Sequence, residues 1–65
     1  MTEHELMTLG YRYERANGER AKALRHSFEV ILNQLNNPEV RKQYIYLFNK
    51  GKEEARNQIG RKEYN

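Results

Sequence analysis

Apolar and polar positions along the chain fall into two segments of helical periodicity, separated by Asn36-Asn37-Pro38-Glu39. At about 100° per residue with Leu24 at zero, Leu6, Tyr13, Phe28, Ile31 and Leu35 share one stripe about 60° wide. Leu9 and Ala21 flank it. The phase continues across Asn17-Gly18, although Asn-Gly is a strong turn signal. One glycine inside a helix costs only about 1 kcal/mol relative to alanine. The pattern therefore predicts one long helix over roughly residues 3–35, kinked at Gly18. The competing reading breaks the chain at Asn17-Gly18 and gives a three-helix bundle.

Local signals set the helix ends. Thr2-x-x-Glu5 is a capping box, in which the hydroxyl and the carboxylate each take a backbone amide that the helix leaves unpaired. Asn36 is expected to end the first helix in the left-handed conformation. Asn37 is placed to cap the second, with Pro38 at its first position, where no amide is needed. The second helix is expected over residues 38–59, with 60–65 as a frayed tail of one small domain spanning 1–65.

The second helix carries two stripes. Val40, Tyr44, Leu47, Gly51 and Ala55 lie on the face expected to meet the first helix. Ile45, Phe48 and Ile59 form the other stripe, interleaved with Arg41, Lys52 and Arg56. The fold class is all-α, an antiparallel helical hairpin. At 1.5 Å per residue, a second helix of about 33 Å covers a first helix of about 50 Å only to about residue 14. Leu6, Leu9 and the edge of Tyr13 then lie uncovered on one side, and Ile45, Phe48 and Ile59 on the other. These six are the candidate interface. Two-fold pairing into a homodimeric four-helix assembly would bury both sets.

Size and composition strengthen the expectation of pairing. A 65-residue chain is marginal without a disulfide, a metal or a partner. It has no cysteine and no aspartate, and only two histidines, His4 and His26. His4 and His26 are not one turn apart, so they make no helical metal pair. His26 and Ser27 are neighbours and point about 100° apart on a helix, which defeats a nucleophile–base pair. Glu53 and Glu54 diverge for the same reason. No glycine-rich phosphate loop is present. The residues point to no enzyme, cofactor or metal.

Charge is high but mixed, with 12 Lys+Arg against 9 acidic residues and a net charge of +3. Glu19–Lys22, Glu39–Lys42 and Glu53–Arg56 are spaced to pair along a helix and absorb part of it. Arg41, Lys42, Lys52 and Arg56 form a basic rim beside the second stripe, which is the anatomy of a contact surface. The alternative reading uses the same four residues on phosphates, making the chain a weakly basic DNA-binding accessory factor. Tyr11, Tyr13, Tyr44 and Tyr46 are not arrayed on one basic face, so they read as core or interface rather than as base-stacking platforms. The longest apolar run, Tyr44-Ile45-Tyr46-Leu47-Phe48, is too short to span a bilayer, and no basic-then-apolar leader is visible. A soluble cytoplasmic protein is expected.

Across essentially the whole chain, this sequence resembles a family of small early proteins of lambdoid bacteriophages, encoded between the exonuclease and excisionase genes. The resemblance is clearest in the run MTEHELMTLGYRYERANGERAKALRHSFEVILNQLNNPEVRKQY. It implies a modulator acting in the host cytoplasm early in infection, biasing the cell towards lytic growth and away from lysogeny. It implies no enzymatic activity and carries no defined site residues. A host or phage protein would be its target.

Overall fold

The structure is a computed structural model that describes the backbone of residues 1–64 and the side chains of residues 1–58. The described chain is helical: α1 spans Glu3–Arg15, α2 Gly18–Asn33 and α3 Pro38–Tyr64. The frayed tail expected over 60–65 and the interface role expected of Ile59 fall outside the described side chains.

The caps at Thr2 and Asn37 form as their residue types demand. The Thr2 hydroxyl accepts from the Glu5 amide at 3.1 Å, and the Glu5 carboxylate accepts from the Thr2 amide at 3.1 Å. The Asn37 side-chain oxygen accepts from the amides of Glu39 at 2.9 Å and Val40 at 3.4 Å. The left-handed cap expected at Asn36 does not form, since no non-glycine residue among those described has a positive φ. Instead α2 tightens at its end. The amide of Gln34 donates to the Ile31 carbonyl at 3.2 Å, and that of Leu35 to the Leu32 carbonyl at 3.0 Å.

The single long helix over 3–35 is corrected to two. Ala16 and Asn17 are extended, with ψ of 156° and 153°, and Gly18 enters α2 at φ 56°. Glycine adopts that φ without the steric cost a Cβ would bring. The shared phase of the two halves does not require a continuous helix. Both helices face the same third helix, and each needs an apolar stripe for that reason alone.

The break folds α1 onto α3. The amino group of Met1 reaches the Tyr44 hydroxyl at 3.3 Å, the Tyr11 hydroxyl donates to Gln58, and Glu14 pairs with Arg56. Low numbers meet low and high meet high, so the two helices run in the same direction. Their backbones touch where side chains are missing. A Cβ added at Gly10 would overlap the Phe48 carbonyl oxygen and stand 2.8 Å from its carbon. One added at Gly51 would overlap the Met7 carbonyl oxygen and stand 2.8 Å from its carbon. Ala55, one turn beyond Gly51, is fully buried. Three small residues thus let the backbones of α1 and α3 meet, an approach larger side chains would prevent.

Side chains, rather than close backbone approach, hold α2. Leu6, Phe28, Leu47 and Phe48 form the core, with Met7, Leu9, Tyr13, Leu32 and Tyr44 packed around it. Phe48 is the hub: Phe28 of α2 stacks on it with centroids 4.0 Å apart, and Tyr13 of α1 tilts against it at 5.5 Å. The helices form an elongated body of 44 × 24 × 14 Å.

Candidate functional site

The expected interface residues separate once the fold is known. Leu6 is 1% exposed and Phe48 6%, so both belong to the core rather than to an uncovered face. A two-helix hairpin leaves them uncovered because it holds residues 3–15 away from the second helix. The break at Ala16-Asn17 brings that segment back over α3. Leu9 and Tyr13 are half-buried against the same core. Of the five whose side chains are described, Ile45 remains in solvent, 42% exposed.

Ile45 is not the sole large apolar side chain left in solvent among the described residues. Val40 and Tyr46 on α3 and Val30 on α2 are also exposed large side chains. Val40 belongs by phase to the inner face of α3. It is exposed because it sits in the first turn, beside the turn from α2, where α1 does not reach. Val30 and Tyr46 lie off both apolar stripes. Periodicity cannot find such positions, because it scores only residues that align with a core face.

The basic rim also divides. Arg56 donates to Glu14 at 2.6 Å, and the Lys52 ammonium sits 5.3 Å from the centre of the Tyr13 ring. Both are therefore engaged with α1. Arg41 and Lys42 remain exposed on α3. Among the described residues the ion pairs are Arg56–Glu14 and Arg25–Glu29, the latter at 3.1 Å. The i, i+3 pairs expected at Glu19–Lys22, Glu39–Lys42 and Glu53–Arg56 are not among them. Lys52 and Arg56 reach instead towards groups on a neighbouring helix, which spacing along one helix does not reveal.

A second basic feature arises at the break. A groove of about 530 Å³ is lined by Tyr11, Arg12, Arg15, Ala16, Arg20 and Leu24. Arg15 donates to the Tyr11 hydroxyl at 3.1 Å, and its guanidinium lies 5.6 Å from the centre of that ring. On one continuous helix these residues would be strung along an axis. The turn at Asn17-Gly18 gathers them into one place, and that turn signal is the only sequence clue to the groove.

The other chemical candidates stay dispersed. His26 and Ser27 are both exposed on α2. No group of three His, Cys, Asp or Glu side chains among the described residues is placed to hold a metal ion. Among the described residues, no helix is long and apolar enough to cross a membrane. The Glu5 carboxyl is held below its ordinary pKa by the hydrogen bonds from the Thr2 backbone and hydroxyl, which is a capping effect.

No family model, curated protein or solved structure matches the chain.

Proposed function

We propose that this chain is a non-enzymatic helical modulator that works by protein–protein contact. It pairs with a second copy of itself and engages a host or phage protein in the infected bacterium, biasing development towards lysis. The phage setting comes from the sequence resemblance. The contact mode is supported by large apolar side chains left in solvent, Ile45 among them.

A compact protein of 7.9 kDa should expose about 4,400 Å². This chain exposes 5211 Å². Met1, Val30, Val40, Ile45 and Tyr46 are large apolar side chains left exposed. Arg41 and Lys42 supply charge on the same helix as three of them.

Sedimentation equilibrium tests the pairing. A dimer is expected at micromolar concentration, with a melting temperature that rises with protein concentration. Ile45→Glu should shift the mass towards monomer while leaving helicity intact. A monomer mass for the unaltered chain at high micromolar concentration, with full helicity, would rule the pairing out. Expression of the chain during infection should raise the lytic fraction, and affinity capture from infected cells should recover a specific protein that Ile45→Glu loses. An unchanged lytic fraction would sink the modulator reading.

A further inference from the structure

We infer that the groove at the α1–α2 junction binds a phosphate-bearing ligand of nucleotide size, held by Arg12, Arg15 and Arg20. Three arginines line this groove of about 530 Å³, with no carboxylate in the lining. None of the three is in an ion pair among the described residues, where the pairs involve Arg25 and Arg56. Gathering like charges raises the energy of the free protein unless an anion offsets them.

The helices explain two of these arginines and not the third. Arg12 and Arg15 lie in the last turn of α1, where a cation complements the negative end of the helix. Arg20 lies in the first turn of α2, at the positive end, where a cation is disfavoured. The same end has no side-chain cap, since Asn17 makes no such bond. Within α2 nothing rewards that placement, whereas an anion in the groove would.

The groove's chemistry narrows the anion. A phosphate monoester can carry two charges on one centre and offers several oxygens to guanidinium forks. One carboxylate neutralises a single arginine and would leave the others opposed. The remaining lining is apolar or aromatic: Ala16 and Leu24, with Tyr11 bracketed by Arg15. Such a surface suits the flat face of a base beside its phosphate. The volume lies within the range of small-molecule sites. The ligand can reach the groove as a free mononucleotide or as one unit of a single strand. The groove shares no residue with the exposed apolar side chains used for pairing, so failure of either idea leaves the other standing.

Side-chain NMR of the arginine Nε–Hε groups tests this with three probes: adenosine monophosphate, a ten-nucleotide oligodeoxythymidylate and a polyglutamate peptide. The expected result is saturable shifts of Arg12, Arg15 and Arg20 with a nucleotide probe. Tight binding of the mononucleotide assigns a free ligand, and tight binding of the oligonucleotide alone assigns a strand. R12Q/R15Q/R20Q should lower affinity for that probe at least tenfold and, for the oligonucleotide, flatten its salt dependence by about two powers of salt. Arg41→Gln/Lys42→Gln controls for loss of positive charge away from the groove and should leave affinity unchanged. All five side chains are exposed, and helicity is checked in each variant. No shift with either nucleotide probe, stronger binding of polyglutamate, or an equal loss in the control would each overturn the assignment.

Discussion

Phe28 of α2 and Phe48 of α3 lie ten positions either side of Pro38 and stack with ring planes 11° apart, centroids 4.0 Å apart. That contact is the main attachment of α2, because only α1 approaches α3 at backbone distance. Removing the Phe28 ring should cost about 3–5 kcal/mol, comparable to the whole stability of a chain this size. Phe28→Ala is therefore expected to melt α2 first. Hydrogen exchange should show α2 amides losing protection before those of α1 and the centre of α3. Uniform loss across all three helices would mean that α2 is held by more than this ring.

Gly10→Ala and Gly51→Ala should destabilise the fold, against the usual direction of the change. In an isolated helix, alanine is favoured over glycine by about 1 kcal/mol. Here the added carbon meets the backbone of Phe48 or Met7, which cannot rotate away as a side chain would. Forcing the helices apart should cost about 2–3 kcal/mol. Thermal melts by circular dichroism check the sign, and a raised melting temperature in either variant would refute the close crossing. Gly18→Ala should cost about 1–2 kcal/mol for a different reason. No atom lies within 4 Å of its added carbon, but φ of 56° strains any L side chain.

The two asparagine caps should respond unequally. Asn37 accepts from two amides of α3, so Asn37→Ala should lose about 1 kcal/mol. Asn17 makes no such bond, and Asn17→Ala should change stability by less than half as much. Equal losses in denaturant titrations would contradict the difference between the two caps.

Acidification should loosen the start of α1. The Glu5 pKa is depressed by its bonds with Thr2. A carboxylate with a lowered folded-state pKa contributes stability above its unfolded pKa, and that contribution is lost as pH falls through the folded value. Helicity should therefore decline below the ordinary glutamate range. In Glu5→Gln, the part of the decline that belongs to this group should disappear. A pH profile of the melting temperature that is identical in the variant would show that the capping carboxylate is not involved.

The residues legible from sequence are those whose role has a local cause. Thr2 and Asn37 cap because their own oxygens reach amides two or three residues away. Leu47, Gly51 and Ala55 lie on the inner side of α3 because helical phase alone puts them there. Phe48 reads as outward-facing by phase and is buried for a non-local reason. With α1 folded back, the packed surface of α3 widens from one partner to two, and Phe48 stands between them.

The amino-acid sequence by itself determined that the described chain is helical, where α1 and α3 begin, and which small residues line the inner side of α3. Tertiary structure decided whether Asn17-Gly18 turns. A turn signal and a continuous apolar phase compete there on nearly equal terms. The balance is set by what α1 gains from the small-residue crossing at Gly10, Gly51 and Ala55, an energy that exists only when residues some forty positions apart meet. The turn in its own right sends Leu6 and Phe48 inside, directs Lys52 and Arg56 to α1, and gathers Arg12, Arg15 and Arg20 at one groove.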